Sequence, residues 1–222
     1  MLDYIVFQNL HLFNRLPSGI REILVGLPIM AVVCAAYWFI RRAWHKKRLG
    51  ADFAAERRRC RLNELVRLLF VAWFTMVFLL CLTTDPASFV RGFFTPYILL
   101  PVTRAFYSVT HFDFIPSLLR LGLDRTILRD MFMNTVLFVP LGAALPILRE
   151  RSGFVKTVLA GFFLTYFIEM IAQPFLLRNP SMDDIISNTL GTVIGYLLFM
   201  LLRKIFPRFI GLCQRTVGVK KA

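Results

Sequence analysis

Polar side chains that could do chemistry are concentrated in one short stretch of a strongly apolar chain. The stretch FIEMIAQPFLLRNPSMDDIISNTLG, residues 167–191, carries carboxylates, amides and a guanidinium: Glu169, Gln173, Arg178, Asp183, Asp184 and Asn188. Carboxylates can act as bases, bind cations or accept hydrogen bonds, and a guanidinium can hold a phosphate with two hydrogen bonds. The chain has no P-loop, GxSxG or dinucleotide-binding motif, so polar recognition of a ligand is the chemistry that the stretch indicates.

Glu169 is the candidate catalytic residue of this stretch. Glu169 and Gln173 are four residues apart and share one helix face, and Pro174 ends or kinks that helix. An acid at mid-helix costs ~2.5–3.5 kcal/mol to place in a bilayer, so it needs a partner, a proton or a watery cavity. Two interpretations are open: an ion pair with Arg178 that only locks the hairpin, or a functional carboxylate that acts as a general base.

The two aspartates also have two interpretations. Ser181 to Asp184 fits the S-x-x-D pattern that begins a helix, and acids in a first turn favour the helix dipole. Alternatively, the carboxylates of Asp183 and Asp184 hold a divalent cation between the protein and a phosphate. No cofactor or metal is otherwise predicted, because the histidines and cysteines show no metal-ligand spacing.

Two asparagines complete the predicted ligand-binding set. Asn188 follows Asp184 by four residues and shares its helix face, while Asn134 lies in NTVLFVPLG, near the start of the third apolar run. The predicted substrate-binding residues are therefore Asn134, Gln173, Arg178, Asp183, Asp184 and Asn188.

The elements that must position these residues are membrane helices. The chain has 222 residues and is 57% hydrophobic, with 23 phenylalanines, which is more apolar side chain than a soluble domain can bury. The long apolar runs predict an all-α, polytopic transmembrane bundle of five spans: Glu22–Ile40, Val66–Leu82, Met131–Leu148, Phe154–Gln173 and Ile185–Leu202.

Three further segments have predicted roles in this bundle. The long outer loop after the second span contains Phe93–Val109, which is apolar but interrupted by prolines, and it is predicted to be re-entrant or interfacial. Residues 1–14 are also predicted to lie at the membrane interface. In the fifth span, the small residues Ser187, Gly191 and Gly195 recur every four positions, which favours close helix packing.

The distribution of basic residues sets the orientation. With five spans, 19 of the 27 Lys and Arg residues fall on one side, together with only four of the 13 acidic residues. The positive-inside rule then predicts a multi-pass membrane protein with its N-terminus outside and its C-terminus in the cytoplasm. The basic loop, with RRRCR at Arg57–Arg61, is predicted to contact anionic headgroups, which accounts for the +14 charge without a nucleic-acid partner.

Three ordered motifs resemble the VanZ-like family. They are NTVLFVPLG (134–142), YFIEMIAQ (166–173) and R-x4-DD-x3-NTLG-x3-GY (178–196), and FDFIP (112–116) is similar to a further family stretch, with Asp113 in place of an asparagine. The resemblance covers about Thr83 to Leu202. It divides the chain into residues 1–82 with two spans and the basic loop, a VanZ-like domain at 83–202, and a basic tail at 203–222.

The resemblance implies a small multi-pass bacterial membrane protein, from a family whose founding member is associated with resistance to the glycopeptide teicoplanin. Three functions are compatible with it. The first is a site under the outer leaflet that binds or transfers a lipid-linked envelope precursor, lowers glycopeptide susceptibility and borders the acyl tail with Tyr166 and Phe175. The second is a hydrolase or transferase on a polyprenyl or glycan lipid, with Glu169 as base and Arg178 on the phosphate, although no nucleophile is visible. The third is a structural partner that other membrane proteins contact through the GTVIG stripe and the basic loop.

Overall fold

The computed structural model describes residues 18–49, 58, 60–82, 106–107, 109–110, 112–122, 124–173 and 180–215. These residues form helices and no β-strand, which confirms the all-α prediction. The helices are α1 (Ser18–Leu49), α2 (Arg61–Leu82), α3 (Ser117–Leu121), α4 (Arg125–Leu148), α5 (Phe154–Phe167, continued by a π-helix at Ile168–Ala172), α6 (Met182–Ile205) and α7 (Pro207–Cys213). Five of them, α1, α2, α4, α5 and α6, are long and apolar enough to cross a membrane.

The five predicted spans correspond to these five helices, four of which extend beyond the predicted bounds, most of all at the end of the first. The predicted span ends at Ile40, whereas α1 continues to Leu49 and so includes the first basic residues of the predicted loop. Lysine and arginine are good helix formers, and positive charge in a last turn is favourable at the helix C-terminus. Residues 1–14 and most of the segment 93–109 lie outside the described residues.

The helices α4 and α6 make the closest contact in the bundle. A Cβ atom built on Gly191 would lie 2.1 Å from the carbonyl oxygen of Thr135, and one on Gly195 would lie 2.0 Å from that of Val139. Because successive turns of the two helices match in this way, α4 and α6 run in the same direction. The small-residue stripe of the fifth span therefore packs against the third span of the same chain.

The helix α2 is held to α4 and α5 by a small apolar core. Val77 of α2 packs there with Phe138 and Leu141 of α4 and Ile168 of α5. The indole Nε1 of Trp73 also donates a hydrogen bond of 2.9 Å to the carbonyl of Leu137. By contrast, α1 packs mainly against α2 and leaves most of its apolar side chains on the outside of the bundle.

The bundle has two ends that differ in chemistry. At the basic end, α1 and α4 finish, α2 begins and α7 folds back, so that Asn63 donates to the carbonyl of Cys213 at 2.6 Å and Arg67 to that of Leu148 at 3.3 Å. At the opposite end, which we call the site end, α4 and α6 begin and α5 finishes. The candidate functional residues that the structure describes lie at the site end.

Candidate functional site

Glu169 is buried at the end of α5, with 1% of its surface exposed. It lies in the π-helical turn Ile168–Ala172, where each backbone hydrogen bond spans five residues instead of the four of an α-helix. Its Oε1 accepts a hydrogen bond of 2.7 Å from Nε2 of Gln173, and its Oε2 accepts one of 3.0 Å from the backbone N–H of Ser181. The carboxylate therefore has polar partners on its own helix and on the segment that begins α6.

Ser181 connects the Glu169 carboxylate to α6. Ser181 is the N-cap of α6, and its Oγ accepts a hydrogen bond of 3.4 Å from the backbone N–H of Asp184. The S-x-x-D pattern thus marks the start of the helix, as the sequence predicted. Ser181 therefore contacts Glu169 through its backbone N–H and Asp184 through its side chain.

Asn134 connects α4 to the same group of hydrogen bonds. Its Nδ2 donates a hydrogen bond of 2.6 Å to Oδ1 of Asp184, joining α4 to the first turn of α6. Hydrogen bonds therefore run from Asn134 through Asp184, Ser181 and Glu169 to Gln173. The contacts place four of the seven predicted site residues in one network that spans α4, α5 and α6.

Asn188 lies one turn deeper in the bundle. Its Nδ2 donates a hydrogen bond of 2.8 Å to Oγ1 of Thr165, which precedes Glu169 by four residues. Asn188 and Thr165 are both buried, and the Oδ1 of Asn188 has no hydrogen-bond partner. Asn188 thus links α5 and α6 beneath the network and leaves one acceptor buried and unused.

Asp183 has a different role from its neighbour. Its Oδ2 accepts a hydrogen bond of 2.9 Å from the backbone N–H of Ser117, the first residue of the short helix α3. Its Oδ1 is buried without a partner. Asp183 therefore connects α6 to the segment before α4 through Ser117, while Asp184 connects α6 to α4 itself through Asn134. Within the described ranges, no group of three His, Cys, Asp or Glu residues is placed to hold a metal ion.

Arg178, the remaining predicted residue, lies outside the described residues. The ion pair of Glu169 with Arg178 stays a prediction for that reason. Partners of the candidate residues that sequence reasoning did not assign to the site are Ser117, Thr165 and Ser181. Thr165 shares a helix face with Glu169 at a spacing of four, a signal that the sequence offered. Ser117 is 66 residues from Asp183, and no local pattern could have joined them.

The bond between Asp183 and Ser117 gives a first testable prediction. We expect Asp183→Ala to leave the N–H of Ser117 without its acceptor and to raise amide hydrogen exchange across residues 112–122 about 10-fold, because a hydrogen bond to a charged group contributes about 1.5–3 kcal/mol. Hydrogen exchange followed by mass spectrometry measures this. Asp183→Asn keeps an acceptor oxygen at the same place and is expected to exchange like the wild type. Equal exchange in the alanine variant would show that the bond does not hold this segment.

The fold and this network define the class of the protein: a multi-pass all-α membrane protein with a hydrogen-bonded, buried carboxylate at one end of its bundle. A model of the VanZ/LLP1 family matches residues 65–203, well over half of the chain. The chain belongs to this family. The match begins inside α2, upstream of Thr83, and leaves the whole of α1 and most of the basic loop outside. No curated protein and no solved structure gives a significant match.

Proposed function

We propose that the site end binds a lipid-linked component of the bacterial cell envelope beneath the outer leaflet. The observation that supports this most is Glu169, a buried carboxylate that two donors hold in a fixed position inside a membrane bundle. Ionisable residues in membrane spans are costly to bury, and they generally mark a ligand or ion site. The VanZ/LLP1 family match is compatible with an envelope role of this kind.

The ligand groups follow from the chemistry of the side chains. The carboxylates of Glu169 and Asp184 accept hydrogen bonds from sugar hydroxyls or peptide amines of the ligand. Arg178 binds a phosphate or carboxylate of the same ligand with two hydrogen bonds. The acyl tail lies against aromatic side chains such as Tyr166, which is 43% exposed and stacks on Phe162 at 6.0 Å. Masking or altering such a precursor lowers susceptibility to a glycopeptide such as teicoplanin.

The proposal places the site on the outer side of the bacterial cytoplasmic membrane. The basic end of the bundle, where α1 finishes and α2 begins, then faces the cytoplasm according to the positive-inside rule. In this orientation the N-terminus is outside and the C-terminus is inside. Glu169 and Asp184 are then within reach of lipid headgroups that carry envelope sugars or peptides.

A second candidate function is a hydrolase or transferase acting on a polyprenyl or glycan lipid. The π-helix at Glu169 favours it, because π-helical turns within α-helices occur frequently at functional sites. Glu169 acts there as the general base. The third alternative, a purely structural partner, is less supported because Gly191 and Gly195, which would form its docking stripe, are already packed against α4.

Native mass spectrometry tests the proposed function. We expect the protein, released gently from a bacterial membrane, to retain a polyprenyl-linked or glycan-bearing lipid, and Glu169→Gln to retain about 10-fold less. The reason is that a hydrogen bond to a charged group contributes about 1.5–3 kcal/mol, and the amide is a weaker acceptor.

The control for this experiment is Glu150→Gln, the same chemical change at an exposed glutamate at the basic end. It is expected to retain the lipid like the wild type. If neither the wild type nor the control holds a specific lipid, the structural role is favoured and the search moves to protein partners. If all three hold it equally, the lipid binds elsewhere and Glu169 is not its ligand.

A further inference from the structure

A second polar cluster lies at the basic end of the bundle, between the last turns of α1 and the first turns of α2. Arg41 of α1 donates two hydrogen bonds to the carboxylate of Glu64 in α2, at 2.6 Å from Nε and 2.7 Å from Nη2. His45, one turn further along α1, has its Nε2 3.8 Å from the same carboxylate, which is too long for a hydrogen bond. This cluster is separate from the site end, since Leu148 beside Arg67 is about 20 Å along α4 from Asn134.

Arg67 is a positive charge of this cluster that has no direct carboxylate partner within the described residues. Its Nε donates to Oδ1 of Asn63 at 2.7 Å and its Nη2 to the carbonyl of Leu148 at 3.3 Å, and the side chain of Tyr37 is a further hydrogen-bond partner. None of these three partners is a carboxylate. The carboxylate of Glu64 already accepts hydrogen bonds from Nε and Nη2 of Arg41. The cluster therefore holds two guanidinium groups against one carboxylate. A half-buried excess of positive charge attracts an anion.

His45 is the second observation that points to a ligand. Its surface is only 5% exposed, and its Nδ1 and Nε2 are both buried without a hydrogen-bond partner among the residues that the structure describes. An imidazole always carries at least one N–H donor, and leaving a buried polar group unpaired costs about 1–3 kcal/mol. A packed aromatic residue would fill this place without that cost. The imidazole of His45 and the guanidinium of Arg67 lie in one cluster with Glu64 and Asn63. A bound anion would accept a hydrogen bond from the imidazole and would neutralise the charge of Arg67.

We propose that Arg41, His45 and Arg67 form a binding site for a phosphate group on the basic side of the membrane. The guanidinium of Arg67 donates an N–H to a phosphate oxygen through Nη1, which takes part in neither of its bonds to Asn63 and Leu148, and His45 donates a second. Arg48 is exposed, rests on the ring of Trp44 at 5.2 Å and is near enough to act electrostatically on His45, so it adds positive charge beside the cluster. The phosphate belongs to an anionic lipid headgroup or to a free phosphate ion.

The position of the cluster suits a headgroup at the membrane interface. Tyr37, Trp38 and Trp44 lie on the same part of α1, and Arg42 stacks on the ring of Trp38 at 5.0 Å. Tryptophan, tyrosine and arginine are enriched where helices meet the headgroup layer. Arg41 and His45 precede the matched family region, which begins at residue 65, so the site includes residues outside the family match.

The test uses the full chain in nanodiscs of phosphatidylcholine with a trace of phosphatidylglycerol. Native mass spectrometry is expected to show retained phosphatidylglycerol in the wild type and in Arg42→Gln, a control that removes one charge from the exposed face of α1. Arg67→Gln and His45→Phe are expected to retain about 10-fold less, as for the loss of one charged hydrogen bond. His45→Phe breaks none of the described hydrogen bonds, so it tests the proposal even where Arg67→Gln folds poorly.

A second measurement separates the two sources of the phosphate group. In nanodiscs of phosphatidylcholine alone, added inorganic phosphate raises the unfolding temperature of the wild type, but not of His45→Phe, if the site takes a free ion. Retention of phosphatidylglycerol without a response to inorganic phosphate identifies a lipid headgroup. If Arg42→Gln loses as much phosphatidylglycerol as Arg67→Gln and His45→Phe, the proposed site is wrong. The lipid is then held by general attraction to the positively charged surface. The absence of both responses in the wild type overturns it as well, and leaves the function proposed for the site end untouched.

Discussion

Gly195→Ala is expected to destabilise the protein strongly, because the added methyl group would meet the backbone of α4. The new Cβ would lie 2.0 Å from the carbonyl oxygen of Val139 and 3.0 Å from the backbone nitrogen of Ala143, so α4 and α6 would have to separate. Backbone cannot move aside as a flexible side chain can, and overpacking of this kind costs about 1–3 kcal/mol or more. The loss of close packing between membrane helices adds to that cost. Thermal unfolding in detergent measures it as a lower midpoint.

Gly211→Ala is the matched control for this prediction. Gly211 lies inside α7, and a Cβ there meets no atom within 4 Å. Alanine is a better helix former than glycine by about 1 kcal/mol, so this variant is expected to be as stable as the wild type or more so. Gly191→Ala is expected to behave like Gly195→Ala. Equal tolerance of all three changes would mean that α4 and α6 are not in backbone contact.

Glu169→Ala is expected to lower the free energy of unfolding by about 2–4 kcal/mol, because it leaves two buried donors without their acceptor. These donors are Nε2 of Gln173 and the backbone N–H of Ser181, at 2.7 Å and 3.0 Å from the carboxylate. Glu169→Gln keeps an oxygen that can accept from one of them, so its loss of stability is expected to be smaller. Unfolding of both variants by denaturant, followed by tryptophan fluorescence, gives the comparison.

The exposed Glu150→Ala serves as the control for a general effect of removing a glutamate. A wild-type stability for Glu169→Ala would mean that the carboxylate does not stabilise the fold and is retained for the ligand alone. The opposite result, equal and large losses for alanine and glutamine, would mean that the negative charge itself holds the hairpin. Together with lipid retention, the pair of variants separates a structural role of Glu169 from a ligand-binding one.

The helices of this protein could be predicted from the sequence because each is a continuous apolar run long enough for a bilayer. The start of α6 could also be predicted, since the contact of Ser181 with Asp184 is local and leaves the S-x-x-D pattern in the sequence. The contact of Asn134 with Asp184 needed only the correct order of spans. These features depend on neighbouring residues or on a bilayer of fixed thickness.

The remaining features depend on how helices pack, and local sequence does not record that. The hydrogen bond from the backbone N–H of Ser181 to Glu169 joins the end of α5 to the start of α6, and no local pattern indicates it. The π-helical turn at Glu169 has no local signal in the sequence. The contact of Asp183 with Ser117 joins residues far apart in the chain. Through it, the carboxylate of Asp183 holds the start of α3 against α6.

The backbone contact between α4 and α6 has a mechanical consequence for the site. Because glycine leaves no gap between these helices, they can neither slide nor part without breaking contacts on successive turns. Asn134 and Asp184, which these two helices carry, therefore form the stationary half of the network. Glu169 belongs to α5, which meets α6 through side chains such as Thr192 against Gly161. We therefore expect any displacement that accompanies binding at the site end to leave the contact between Asn134 and Asp184 unchanged.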